Sequence, residues 1–119
     1  MFLVLTCLIC LQGTKEPIRS IPNPQKFIAL TFDACQTRKP AGYDAKIIQI
    51  LRQKHARATL FLGGAWAQSH PIQARALGQD PLFEIAQHSY LHPHFPKLSA
   101  AMMEKDLKRA QNAIRKATG

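Results

Sequence analysis

The segment Ala58-Thr-Leu-Phe-Leu-Gly-Gly64 is a short apolar run closed by two glycines, too brief for a helix and rich in residues that suit a pleated surface. It reads as a buried β-strand. Two segments like it flank it in the chain. Phe27-Ile-Ala-Leu-Thr-Phe32 stops just before Asp33, and Leu82-Phe-Glu-Ile-Ala86 stops at Gln87-His88. Their near-continuous apolar character, without strict alternation, is the pattern of strands covered on both faces, as in parallel sheets. Between the first two, Tyr43, Ile47, Ile48 and Leu51 recur at helical spacing. Asp44 falls in the first turn and Arg52 and Lys54 in the last, which complements the helix dipole. Shorter helical stretches over residues 65–69 and 71–77 separate the second and third strands. After the third, Ser99 is a candidate N-cap for a final helix with Met103, Leu107, Ala110 and Ile114 on one stripe. The order predicts an α/β fold of parallel βαβαβα units with right-handed crossovers.

The 119 residues comprise 46% hydrophobic and 19% charged residues, with 8 Pro and 6 Gly. That composition excludes a disordered, collagenous or polytopic membrane chain. Sixteen Lys and Arg against 7 acids give a net charge of +9. Charge alone supports only salt-sensitive, sequence-independent attraction, so no specific nucleic-acid partner is expected. Lys108, Arg109, Arg115 and Lys116 read as a solvated face of the last helix that complements its dipole. Three cysteines do not make a disulfide framework, and Cys7 and Cys10 lie in the apolar opening run. That run is too short to span a bilayer, so no transmembrane helix is expected. Residues 1–13 read either as a signal-peptide core, which would direct the chain to secretion, the periplasm or the cell envelope, or as an apolar N-terminal segment such as a buried strand. Residues 14–25, with Pro17, Pro22 and Pro24, read as a linker, and residues 26–119 as the folded domain.

Ligands in parallel α/β sheets bind at the carboxyl ends of the strands, and two chemically loaded segments fall there. His88-Ser-Tyr-Leu-His92-Pro-His94 holds three of the five histidines. On one helical turn, or in a tight loop that mimics it, His88 and His92 would point the same way and share a metal such as Zn²⁺. Pro93 stops a helix from continuing there. His94 is a weaker candidate, and His55 and His70 read as surface residues. A metal held by two histidines needs a further ligand, usually a carboxylate. Asp33 is the acid placed for it, as a ligand or as a general base. Asp44, Glu104 and Asp106 are accounted for by helix ends and surfaces, Asp80 by a turn, and Glu84 by a strand edge or a partner.

Ile28-Ala-Leu-Thr-Phe-Asp33 resembles the Thr-Phe-Asp-Asp motif of the polysaccharide deacetylases with the NodB homology domain, carbohydrate esterase family 4. His88-Ser-Tyr-Leu-His92-Pro93 resembles the family's histidine motif, and Ala58-Thr-Leu-Phe-Leu-Gly63 its second strand. The likeness runs over residues 26–116. It implies the first half of an irregular (β/α) barrel. It also implies metal-dependent hydrolysis of the acetamide C–N bond of N-acetylglucosamine-type units in a chitin-like or peptidoglycan-like polysaccharide. Carried over by position, Asp33 matches the catalytic base, and His88 and His92 match ligands of a divalent metal, zinc by preference. Ala34 stands where the family has its second aspartate, a metal ligand. Cys35 follows it. A thiolate suits zinc, but this neighbouring position on the strand end is expected to point elsewhere and to hold a small packed residue. The family's later motifs, an arginine that holds the base and a histidine that serves as general acid, do not follow His94. A truncated or degenerate, non-catalytic relative that binds metal or glycan is the alternative reading.

Overall fold

The computed structural model describes residues 22, 24–25, 27–36 and 42–119. The expected signal peptide and most of the expected linker lie outside the described residues. Three strands form one parallel sheet in the order β1-β2-β3: β1 (Thr31–Ala34), β2 (Ala58–Leu62) and β3 (Phe83–Gln87). Helix α1 (Ala45–Gln53) connects β1 to β2. Helices α2 (Gly64–Ser69) and α3 (Pro71–Gly78) connect β2 to β3, and α4 (Ala100–Thr118) follows a single 3₁₀ turn at Phe95–Lys97. Among the described residues the sheet is not closed, so the parallel α/β expectation holds in the form of a partial barrel.

β2 matches its expected bounds, and it is the central strand, hydrogen-bonded on both sides. The first strand departs from expectation. Its pairing covers Thr31–Ala34 rather than residues 27–32, so Asp33 lies within the strand instead of just past it. Nor is it buried on both faces: Phe27 and Ile28 are 72% and 84% exposed. An apolar run specifies a strand's chemistry but not whether a neighbour flanks it, and β1 is an edge. The third strand is one residue later than expected. The Leu82 N–H is taken by Asp80 Oδ1 at 3.0 Å and the Leu82 carbonyl accepts from Ala58 N, which leaves Phe83 as the first paired residue.

Local chemistry sets the helix limits. Asp44 is the N-cap of α1 rather than a first-turn residue, and its Oδ1 accepts from the N–H groups of Lys46 and Ile47. Ser99 caps α4 as expected, with Oγ accepting from Met102 N. The core lies between the sheet and the helices. Ile48 and Leu51 of α1, Leu60 and Leu62 of β2, Trp66 of α2 and Leu77 of α3 are all buried in one cluster. Burying a side chain of this size stabilises by about 1.5–3 kcal/mol. Ala34 packs against the same cluster.

Pairing Ala34↔Leu62 and Leu62↔Gln87 ends all three strands at one level. The next residues are Cys35, Gly63 and His88, side by side at the carboxyl edge of the sheet.

Candidate metal centre

The site grows from this common strand end. Cys35 and His88 are both tied to β2: Gly63 N donates to the Ala34 carbonyl at 2.7 Å, and His88 N donates to the Leu62 carbonyl at 2.8 Å. Gly63 has no side chain, and a Cβ there would come within 3.2 Å of Cys35 Cα and 3.4 Å of Cys35 Cβ. The missing methyl lets the end of β1 close against β2.

From His88 the chain enters a fixed loop. Ser89 and His92 adopt φ values of 57° and 55°, a left-handed backbone that is uncommon for residues with a Cβ. So His88 and His92 are brought together by two left-handed residues, not by a turn of helix. Hydrogen bonds hold this conformation. The first N–H groups of α2, on Gly64 and Ala65, donate to the carbonyls of Ser89 and Tyr90 at 2.9 and 3.1 Å. Tyr90 N donates to Asp106 Oδ2 of α4 at 2.9 Å, and His92 N donates to Ser89 Oγ at 3.0 Å. Tyr90 itself is buried, its hydroxyl donating to Gln68 Oε1 at 2.6 Å and its ring covered by the Arg109 guanidinium 3.6 Å from the centroid.

The outcome is a cluster of Cys35, His88 and His92 in which one ligand atom from each lies within 4.8 Å of the others. The rings of His88 and His92 have centroids 4.8 Å apart, tilted by 44°. Among the described residues this is the one group of three or more metal-ligating side chains. Its donors fit a tetrahedral cation of the zinc type. Bond lengths of about 2.3 Å to sulfur and 2.0–2.1 Å to nitrogen place such donors about 3.3–3.6 Å apart, so side-chain rotation closes a gap of roughly 1 Å. Asp33, 57% exposed, stands beside the cluster with Oδ2 3.8 Å from His88 Nε2. It lines an open apolar cleft of about 230 Å³ with Cys35, Tyr43, Ile47 and Trp66. On the other side, His88 and His92 line a shallow groove with Phe95 and Leu107.

The structure thus brings the expected Asp33, His88 and His92 to one place. It corrects the expectation for Cys35, which reaches the histidines rather than pointing away. Ala34 is the residue turned to the core, because alternate residues of a strand face opposite sides. Asp106 is also corrected: a half-buried carboxylate that anchors the histidine loop, not merely a helix-surface acid. Its position four residues before buried Ala110, on the helix stripe, was the available signal. Glu104 behaves as a surface acid, paired with Lys108, and Glu84 accepts from Thr59 Oγ1 at 2.8 Å. His94 is exposed and outside the cluster. His70, expected at the surface, is half-buried and stacks on Trp66 at 4.7 Å.

An open parallel α/β sheet with imidazole and thiol donors gathered at its carboxyl edge has the layout of a (β/α) protein built around a metal site. The chain belongs to the polysaccharide deacetylase family, whose pattern matches residues 20–119. Among its relatives, the chitin deacetylase of Colletotrichum lindemuthianum is 30% identical over 108 residues, covering 87% of this chain and 41% of its own length. A family 4 carbohydrate esterase from Streptomyces lividans, solved in complex with acetate, superposes with a TM-score of 0.65 at 37% identity. That match covers 78% of this chain and 46% of that one. A family 4 pseudoenzyme from Bacillus anthracis superposes with a TM-score of 0.66 at 26% identity, covering 80% and 32%. A mutant of that protein, described as having restored enzymatic activity, gives 0.69 at 29% identity, covering 80% and 34%. The chain spans less than half the length of each of these relatives.

Proposed function

We propose that this chain is a metal-binding, non-catalytic member of the polysaccharide deacetylase family, which holds a zinc-class divalent cation at His88 and His92 and presents it to an N-acetylated glycan. The observation that carries this reading is the donor cluster at the strand ends. Two imidazoles are fixed by a hydrogen-bonded loop, while Ala34, at the position where the family has a carboxylate ligand, packs into the core. The likeness to a family pseudoenzyme supports the same reading. The bound cation would supply a Lewis acid able to attract an amide or hydroxyl oxygen of the sugar. The chain's own residues bind and orient: the His88–His92 loop sets the donors, and the cleft beside Asp33 offers an apolar wall to a sugar face.

Asp33 favours a second reading, hydrolysis of the acetamide. Its exposed carboxylate, within 3.8 Å of His88, is placed to take a proton from a water near the site. One experiment separates the two. Zinc titrated into the full chain by calorimetry is expected to bind one ion per chain. The zinc-loaded protein is then expected to bind N-acetylglucosamine oligomers without releasing acetate. Acetate release above the protein-free rate, lost in Asp33→Asn, establishes the hydrolase. Absence of zinc binding removes both readings.

A further inference from the structure

Resting on the metal-binding reading above, we propose that the Cys35 thiolate is the third protein ligand, which makes this a two-nitrogen, one-sulfur site selective for thiophilic cations over magnesium, calcium and manganese. Three observations carry it. Cys35 supplies the sulfur of the one donor cluster among the described residues, within 4.8 Å of both imidazoles. It is a free, half-buried cysteine fixed next to the carboxyl end of β2, where Gly63 leaves room for it and the Gly63 N–H holds the preceding carbonyl. Among the described residues no carboxylate joins the cluster: Ala34 has none, and Asp33, exposed beside it, lies near His88 without entering the group of three.

The chemistry follows from the exchange of donor type. An oxygen donor at the third position suits hard and borderline cations alike. A thiolate, soft and polarisable, favours zinc, cobalt(II) and cadmium and disfavours hard ions. On binding, the Sγ–H proton passes to bulk water as the metal–sulfur bond forms, and no electron is transferred. A dication held by Cys35, His88 and His92, with one thiolate and two neutral imidazoles, would carry a net charge of +1 at the site. Asp33 is then free of the metal and remains at the rim of the cleft.

The test uses cobalt(II) as the probe, in the full chain carrying Cys7→Ser and Cys10→Ser so that Cys35 is the single thiol. The cobalt complex is expected to show a near-ultraviolet sulfur-to-cobalt charge-transfer band. Adding Cys35→Ser should abolish that band and weaken zinc binding at least about tenfold, with circular dichroism reporting that the fold is kept. Cadmium should outcompete manganese in the parent and lose most of that advantage in the serine variant. A second measurement needs no substitution: saturating zinc should protect Cys35 of the unaltered chain from iodoacetamide, read by peptide mass spectrometry. Cobalt uptake with a visible d–d spectrum but no charge-transfer band, a band that survives Cys35→Ser, or equal alkylation with and without zinc overturns the thiolate ligand while leaving a histidine-held metal. No uptake of cobalt or zinc overturns the metal-binding reading itself.

Discussion

Asp106 and Ser89 determine where two imidazoles point without touching any ligand. The Asp106 carboxylate takes the Tyr90 N–H, and the Ser89 hydroxyl takes the His92 N–H, on a backbone with two residues at positive φ. A left-handed residue with a Cβ costs of order 1 kcal/mol or more, and the hydrogen bonds offset that cost. Removing the carboxylate leaves the buried Tyr90 amide unsatisfied, a loss of about 1.5–3 kcal/mol for a bond to a charged acceptor. Asp106→Ala is therefore expected to lower stability by about 2 kcal/mol and zinc affinity by about tenfold, whereas Glu104→Ala, two residues away on the solvent side, changes neither by much. Urea denaturation and zinc calorimetry on the two variants check this. The histidines were legible from the sequence because their spacing and the following proline are local. Asp106 was only partly so: its place on the apolar stripe marks it as inward-facing, but only tertiary packing reveals which loop that side of the helix meets.

The elements meet at two residues whose substitution reads out the packing between them. Gly64, first in α2, crosses α4 so closely that an added Cβ would lie 2.6 Å from Tyr90 Cδ2 and 2.8 Å from Ala110 Cα. Both atoms belong to well-buried residues, so neither can simply move aside. Gly64→Ala is expected to cost about 1–3 kcal/mol through overpacking and to loosen the histidine loop, measurable as a lowered urea midpoint and weaker zinc binding together. Arg52, in the last turn of α1, holds the turn before β3: its Nε donates to Asp80 Oδ2 at 2.8 Å. Partial burial pushes the Asp80 carboxyl pKa up. The Arg52 hydrogen bond, the Leu82 N–H and the Arg52 charge outweigh that and hold it below the ordinary aspartate value. A depressed folded-state pKa contributes stability above the unfolded value of about 3.9, and that contribution is lost as pH falls through the lower folded value. With one partner half-exposed, Arg52→Met is expected to cost only about 0.5–1 kcal/mol at pH 7, and its stability curve should converge on that of the wild type as pH falls below the ordinary aspartate range. Chemical denaturation over a pH series decides it. At this scale the sequence reading was close. Strand β2 and the cap of α4 fell where periodicity and capping residues put them, while β1 was displaced because pairing, not hydropathy, sets a strand's limits.

Among the described residues the fold is one sheet with β1 at one edge and β3 at the other, four helices around it, and no strand paired to the outer side of β1. Ile28 before β1, and Ile47 and Ile50 on α1, are exposed apolar side chains. An uncovered strand edge flanked by apolar groups invites association with another chain. The isolated protein is expected to self-associate with rising concentration in sedimentation velocity, and Ile28→Lys to shift it toward monomer. A wild type that stays monomeric throughout would show that this side is adequately shielded. Among the described residues no helix is long and apolar enough to cross a membrane. What the sequence by itself determined is the alternation of strands and helices and the nature of the candidate groups near the carboxyl edge of the sheet: Asp33, His88 and His92. Those signals are local, written in periodicity, caps and short motifs. Tertiary structure alone decided that Cys35 joins the histidines, that Ala34 turns to the core, and that β1 is an edge strand among the described residues. Each depends on register between segments far apart in the chain, where a shift of a single residue sends a side chain to the opposite face of the sheet.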